Sequence, residues 1–310
     1  MHRREYFLTA IAAISVAGCL RVDSEPDGPG NDTGDNGSGE NGDNQGAGGG
    51  DDDDNGEPAE HVTDVAVHHW PFVERSGNTV EDIIGDANGT IHDGLENING
   101  EWYEDHAEYL EEGAEGHIDL GHLESINEAV AGHAFALIAT VKPSTITPDR
   151  AMTILGAGGG HTNWCEFRIS ESDGTRNGRP IIMIRDNGAN EIRVAAGESI
   201  APDTTSRIAV SMEGNTADDV TFWINGEKVY TEVLHEGELV DSVVPEETYG
   251  IFASNPDSES TIRTRRWFRG TIDNVIFCDQ AISDEAATQD FEDQPWSEEE
   301  SVSDSSPLVP

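Results

Sequence analysis

Four arginines surround one tryptophan near the carboxyl end of the chain. Arg263, Arg265, Trp267 and Arg269 stand at alternate positions, so on an extended strand they share one face, while Arg266 points the other way. Guanidinium groups pair with carboxylates and sulfates, and an indole ring can stack on a sugar ring. The cluster predicts a binding surface for a carboxylated or sulfated glycan. In the alternative, these arginines pair with surrounding acids and bury their stems.

A second group of polar side chains lies in a short turn-forming segment. Asp82, Asp86 and Asn88 alternate with Gly85 and Gly89. Hard cations such as Ca²⁺ bind carboxylate and carbonyl oxygens, and this segment offers several of them within one loop. It predicts a calcium site, and the alternative is that its glycines and asparagine only form turns.

Cysteines and histidines complete the candidate groups. Cys165 and Cys278 are the two cysteines beyond Cys19. In an exported protein an even pair predicts a disulfide between distant strands, but two buried thiols are an equal alternative because strand proximity cannot be read from a sequence. His68 and His69 are adjacent, so on a strand their rings point to opposite faces and do not share a metal, and the sequence favours scattered surface histidines.

The net charge excludes one class of function. The 310 residues include 17 Lys and Arg against 62 Asp and Glu, a formal net charge of −45. Such a chain repels polyanions, so we expect no nucleic-acid partner. The acidic, lysine-poor composition resembles that of halophile proteins, whose self-repulsion is screened by molar salt. With so many acids, carboxylate pairs arise by chance, and no catalytic residue is predicted.

The amino terminus predicts export and anchoring. Arg3-Arg4 precedes an apolar run too short to span a bilayer, a pattern typical of a twin-arginine export signal, and the run ends at a lipobox-like cysteine, Cys19. Residues 1–19 are therefore predicted to be the signal, with lipidation of Cys19 placing the protein on the outer face of the cytoplasmic membrane; it would be secreted if the lipobox is not used. Residues 20–60 predict a disordered acidic tether and residues 298–310 a disordered tail.

Between these segments the pattern is that of an all-β domain. Short apolar runs separated by Gly, Asn, Asp and Pro predict an antiparallel β-sandwich with a short C-terminal helix. Predicted strands cover 66–72, 116–120, 134–141, 153–156, 166–170, 181–185, 192–195, 206–212, 220–224, 227–233, 249–253 and 262–277 with a break at Gly270. Asn225-Gly226 predicts a type I′ hairpin, 283–291 a helix capped by Ser283, and 102–112 a weak helix.

The order of these motifs resembles that of a known fold family. The similar segments are His69-Trp70-Pro71-Phe72, the turn 82–90, and the strands 135–143, 207–211, 222–229 and 268–277, followed by the ending 281–285. Together they resemble a laminin-G-like, concanavalin A-like lectin/glucanase jelly roll over 61–297.

The resemblance implies further expectations. A structural calcium in related jelly rolls joins an N-terminal turn to the last strand, which adds Asp273 to Asp82, Asp86 and Asn88. The E-x-D-x-x-E pattern of the glucanase branch is absent. We therefore expect a surface lipoprotein whose domain binds carbohydrate or a glycoprotein partner without catalysis. The alternatives are a glycoside hydrolase or polysaccharide lyase on the same fold, and a structural protein-adhesion module of the envelope.

Overall fold

The computed structural model describes residues 59, 61–72, 77–92, 95–98, 101–104, 116–144, 146, 151–157, 163–170, 177–245, 248–253 and 268–294. These all belong to one compact unit, 55–310. The predicted signal, the tail and the tether except Ala59 lie outside the described residues. In the portion that is described, no helix is both long enough and apolar enough to cross a membrane.

Most of the regular secondary structure in the described residues is β-strand. In chain order they are β1 (Ala66–Trp70), β2 (Thr79–Val80), β3 (Gly89–Ile91), β4 (Glu96–Ile98), β5 (Glu101–Glu104), β6 (Ile118–Gly121), β7 (Ala134–Pro143), β8 (Met152–Ala157), β9 (Trp164–Ile169), β10 (Pro180–Arg185), β11 (Glu191–Ala196), β12 (Ser206–Glu213), β13 (Val220–Ile224), β14 (Glu227–Val229), β15 (Thr231–His235), β16 (Tyr249–Ile251) and β17 (Gly270–Cys278). The helices are α1 (Val62–Val65), α2 (Glu124–Ala131) and α3 (Asp284–Glu292).

The strands form two antiparallel sheets. One has eight strands in the order β14-β13-β12-β7-β17-β5-β4, with β1 also pairing with β17. The other has nine strands in the order β15-β11-β10-β9-β8-β16-β6-β3-β2. A large apolar core, including Phe135, Phe167 and Phe222, lies between them. The predicted all-β sandwich with a short C-terminal helix is confirmed.

The outward face of the eight-stranded sheet is covered by the protein's own helices. Ala136, Ile138, Ala209, Trp223 and Ile276 point away from the main core and pack with residues of α1 and α3 in a second apolar cluster. This explains why β7 is buried along almost its whole length. A strand buried on both faces needs apolar residues at every position.

Local predictions have mixed outcomes. Asn225 and Gly226 have φ of 53° and 75°, the positive values that a type I′ turn requires, so the hairpin is confirmed. The Ser283 hydroxyl caps α3 by accepting from the Ala286 N–H at 3.1 Å. The predicted strand 227–233 divides at Tyr230, since β14 joins one sheet and β15 the other.

The helix predicted at 102–112 is wrong where it can be compared. Residues 101–104 form β5, which pairs with β17, and 105–112 lie outside the described residues. Helix α2 was missed, although Ile126, Ala129 and Val130 are buried at the i, i+3, i+4 spacing of an amphipathic helix. Two turns were too short for that spacing to stand out from the neighbouring strand patterns.

Candidate binding site

Most of the predicted arginine cluster, including Arg263, Arg265 and Trp267, lies outside the described residues. Arg269 is described and immediately precedes β17, and its carbonyl accepts a hydrogen bond from the Ser144 N–H at 3.0 Å. The cluster therefore stays a prediction.

The carboxylate of Asp82 organises the predicted calcium loop. It accepts hydrogen bonds from the backbone N–H groups of His69, Ile84, Gly85 and Ala87 at 2.9, 3.2, 3.0 and 3.2 Å, and it lies 2.6 Å from His68 Nδ1. Burial alone raises the pKa of Asp82, but the hydrogen bonds from the His69 N–H, the His68 ring and the loop amides outweigh it, so the pKa lies below its usual value. Asp82 is thus an anion that holds the loop.

Gly85 is required by this arrangement. A Cβ at this position would stand 2.5 Å from Asp82 Oδ2 and 2.6 Å from His68 Nδ1. Only a residue without a side chain allows the loop to pass so close to the histidine-carboxylate pair.

The described side chains do not fit a calcium ion as they stand. Both Asp82 oxygens accept N–H donors, Asn88 Oδ1 accepts the Asp82 N–H at 2.9 Å, and Asp273 Oδ1 accepts the Asn274 N–H at 2.8 Å. Asp86 is exposed. Among the described residues no group of three or more His, Cys, Asp or Glu is placed to hold a metal.

The two cysteines are free and buried rather than joined, so the disulfide prediction is corrected in favour of its alternative. Cys165 on β9 belongs to the core between the sheets, whereas Cys278 on β17 lies under the helices on the outward face of the other sheet. Burial and the neighbouring Glu166 charge raise the pKa of Cys165 to about 12, and burial raises that of Cys278 as well. Neither is a reactive thiol.

Charged side chains gather instead on the outward face of the nine-stranded sheet. In β9, β10 and β11 the alternate residues that include Phe167, Ile184 and Val194 belong to the core. The intervening residues therefore point outward. They include Trp164, Glu166, Arg168, Arg185, Glu191 and Arg193.

Strand register places four of these residues side by side. Arg185 on β10 lies opposite Trp164 on β9 and opposite Glu191 on β11. Side chains that face each other across neighbouring strands are in contact range. Arg193, two residues beyond Glu191, joins them on the same face, and we call Trp164, Arg185, Glu191 and Arg193 the Arg185 patch.

The arginines of the patch retain unused hydrogen-bond donors. Arg193 Nη2 lies 2.5 Å from Glu191 Oε1, and its side chain is 34% exposed. The Nε atoms of Arg185 and Arg193 are buried and have no hydrogen-bond partner among the described residues. A guanidinium carries five N–H donors in a planar fork that matches a carboxylate or sulfate. A carboxylate or sulfate is therefore the kind of group that these guanidinium groups can pair with.

The turn next to the patch is fixed by a buried carboxylate. Asp186 follows Arg185 and accepts hydrogen bonds from the backbone and side chain of Asn190 and from the Val240 and Asp241 N–H groups, at 2.8 to 3.2 Å. Burial raises its pKa, but these hydrogen bonds outweigh that effect and lower it. Arg185 therefore stands at the end of a strand whose turn is tied to a second loop.

The outward face of the eight-stranded sheet bears a cleft that is acidic, in contrast to the arginines of the Arg185 patch. Its volume is about 420 Å³, and its lining includes Glu213, Asp219, Trp223, Lys228 and Asp284. Asp284 Oδ1 accepts from Trp223 Nε1 at 3.0 Å and lies 3.2 Å from Lys228 Nζ. The aromatic and cationic groups of this cleft are thus already engaged, and its remaining charge is acidic.

The family of the chain is settled by a profile match. Residues 112–287 match the model described as the concanavalin A-like lectin/glucanases superfamily. The chain belongs to this superfamily. A comparison with curated protein sequences finds no match.

Solved structures show the same lectin/glucanase-like fold at low identity. The binding domain of Paraclostridial Mosquitocidal Protein 1 has a TM-score of 0.53 at 11% identity, covering 74% of this chain and 52% of that one. Trypanosoma rangeli sialidase in complex with 2,3-difluorosialic acid has a TM-score of 0.50 at 13% identity, covering 74% and 33%. This chain thus spans about a third of the sialidase and half of the mosquitocidal binding domain.

A smaller structure is covered almost completely. It is domain 4 of the arabinanase AbnA from Geobacillus stearothermophilus, in complex with arabinotriose, with a TM-score of 0.46 at 15% identity, covering 73% of this chain and 97% of that one.

The sequence contained the patch residues but not their adjacency. Each of Trp164, Arg185 and Arg193 was visible as a polar or aromatic residue at the end of, or between, apolar strand positions. Outward-facing arginines in a chain so rich in acids were the available signal. Which strands are neighbours depends on long-range pairing, and the sequence does not show it.

Proposed function

We propose that this lectin/glucanase-like domain binds an acidic glycan through the Arg185 patch, without cleaving the glycan. One observation carries the proposal: in a chain of net charge −45, buried guanidinium N–H groups on an outward sheet face have no partner among the described residues. Leaving such donors unsatisfied costs free energy, and a carboxylate or sulfate would satisfy them. Trp164, opposite Arg185, supplies an aromatic surface for a sugar ring.

We also propose how the domain is anchored and which second surface contributes to binding. A lipid on Cys19 would hold the domain at the outer face of the membrane, in reach of envelope glycans or glycoproteins. The cluster of Arg263, Arg265, Trp267 and Arg269 would be a second surface for the same ligand class.

A glycan array tests the proposal. The full chain, purified in molar KCl, is applied to neutral, carboxylated and sulfated glycans, with calcium and with chelator. We expect signals confined to acidic glycans. Because the side chains of the predicted calcium site do not fit the ion as they stand, we expect the same signal with chelator. Loss of the signal would show that these side chains rearrange to bind calcium.

Variants of the two arginine clusters show which surface binds the glycan. Arg185→Gln should lose the array signal if the Arg185 patch binds, whereas the double variant Arg263→Ser with Arg265→Ser should lose it if the second cluster does. A blank array from folded protein would overturn the proposal and favour the protein-adhesion alternative. Release of reducing sugar from a bound polysaccharide would favour the glycoside hydrolase alternative, and an unsaturated product the lyase.

A further inference from the structure

The ring of His68 joins a carboxylate to a serine hydroxyl. His68 Nδ1 lies 2.6 Å from Asp82 Oδ2, and His68 Nε2 lies 2.6 Å from Ser125 Oγ. The three residues come from strand β1, the loop after β2 and the first turn of helix α2. This order, carboxylate to imidazole to hydroxyl, is the constellation that activates a serine nucleophile.

The hydrogen bonds of Asp82 determine which nitrogen of His68 donates and which accepts. Apart from the His68 ring, the described partners of the Asp82 carboxylate oxygens are backbone N–H groups of the loop and of His69, so the carboxylate acts as an acceptor. With the carboxylate as acceptor, His68 Nδ1 donates the hydrogen bond to Asp82. Nε2 is then left with a lone pair that accepts the Ser125 hydroxyl proton.

The surroundings fix the ring in this orientation. The Trp70 ring stacks on His68 with centroids 5.3 Å apart and an interplanar angle of 15°. His68 and Asp82 are only 5% and 7% exposed. The Asp82 oxygen that does not face His68 accepts the N–H of the next residue, His69, at 2.9 Å. A general base works best when it is oriented in this way by its neighbours.

Ser125 differs from its two partners in being partly accessible. It is half-buried, in the first turn of α2. Leu123 stands at the N-cap and supplies no side-chain acceptor, and among the described residues no acceptor meets the N–H of Glu124 or Ser125. Free amides at the start of a helix stabilise negative charge that develops on an oxygen.

We propose that Ser125 is the nucleophile of an ester-hydrolysing site, with His68 as general base and Asp82 as its positioning residue, acting on small acyl esters. Ser125 Oγ attacks the acyl carbon while its proton passes to His68 Nε2. The bond from that carbon to the alcohol oxygen breaks, and His68 returns the proton to the leaving alcohol. Water then cleaves the acyl-serine by the same proton transfers, giving a carboxylic acid and free serine. This site is independent of the Arg185 patch.

The test uses a fluorophosphonate probe and p-nitrophenyl acetate on the full chain in molar salt. We expect a single labelled peptide containing Ser125, and ester hydrolysis above the buffer rate. Ser125→Ala should abolish both. Ser283→Ala is the matched control, since Ser283 also begins a helix but caps it and has no histidine hydrogen bond; it should label like the wild-type chain.

His68→Gln tests whether Ser125 is labelled because His68 activates it or only because it is exposed. Loss of the general base should lower the labelling rate by about 100-fold or more. Circular dichroism checks that each variant is folded, and if His68→Gln unfolds, the Ser125→Ala and Ser283→Ala comparison alone decides. Absence of label on folded wild-type protein, or equal labelling of Ser125→Ala, would overturn the proposal. Glycan binding by Ser125→Ala reports separately on the proposed function.

Discussion

Two arginines on opposite outward faces of the sandwich have opposite environments. Arg207 on β12 is buried under α3, where Nε and Nη2 lie 2.7 and 2.8 Å from the two oxygens of Asp290. Its Nη1 donates to Thr140 Oγ1 and to the Asn274 carbonyl. Arg185 on β10 has no comparable partners among the described residues, and its Nε is buried without an acceptor.

The two arginines differ because different groups surround them. Helices α1 and α3 close the outward face of the eight-stranded sheet with an apolar cluster and bring Asp290 to Arg207. A buried charge that is fully paired serves the fold, whereas removal of one partner is costly. On the nine-stranded sheet the outward side chains of Glu166 and Met183 are buried as well, whereas Arg185 is half-buried and its Nε atom has no partner among the described residues. Arg207 is thus paired within the fold, and Arg185 is the arginine that we propose binds a ligand.

The largest effect is expected from breaking the Arg207 pair. Asp290→Ala leaves Arg207, whose side chain is 2% exposed, as an uncompensated buried charge. The free energy of unfolding should fall by about 3–5 kcal/mol. Urea unfolding in molar KCl measures it. Asp293→Ala, one residue past the end of the same helix and exposed, is the control and should stay within about 0.5 kcal/mol; equal losses would show that Arg207 is not the structural arginine.

An intermediate effect is expected from Asp82, which ties the N-terminal loop to β1. Because its pKa is lowered in the folded state, its contribution to stability is present above the usual pKa of 3.8 and is lost as the pH falls through the folded value. Asp82→Asn should cost about 1–3 kcal/mol at pH 7, since an amide replaces the anionic acceptor. The gap between variant and wild type in urea unfolding should narrow below pH 3.8, and a gap that widens in acid would contradict the pKa direction.

The sequence predicted the sandwich because strands with one core face alternate and turns have strong local signals such as Asn225-Gly226. The sequence predicted less about strand pairing and about contacts between distant residues, because these depend on the tertiary structure. Nothing local shows that β14 and β15 join different sheets, or that His68, Asp82 and Ser125 meet. His68 was expected at the surface, yet it shares the inward direction of Trp70 and is buried. The Arg185 patch likewise depends on strand order.

The smallest effect on stability is expected at the patch itself. Arg185 is half-buried and has no described ion-pair partner, so Arg185→Gln removes no existing pair. Its free energy of unfolding should stay within about 0.5 kcal/mol of the wild-type value. Urea unfolding beside Asp290→Ala measures the contrast, and a loss of several kcal/mol would place Arg185 in the structural class.

The proposed binding surface is tested most directly by two variants, each of which removes one positive charge from one outward face of the sandwich. Arg185→Gln and Lys228→Gln are titrated calorimetrically with trigalacturonate and with a heparin tetrasaccharide in molar KCl, beside the wild-type chain. We expect the wild-type chain to bind at least one probe. Arg185→Gln should weaken binding about tenfold or more, because a charged hydrogen bond is lost, and Lys228→Gln should leave binding nearly unchanged. Equal affinities for Arg185→Gln and wild type, or equal weakening by both variants, would contradict binding by the Arg185 patch.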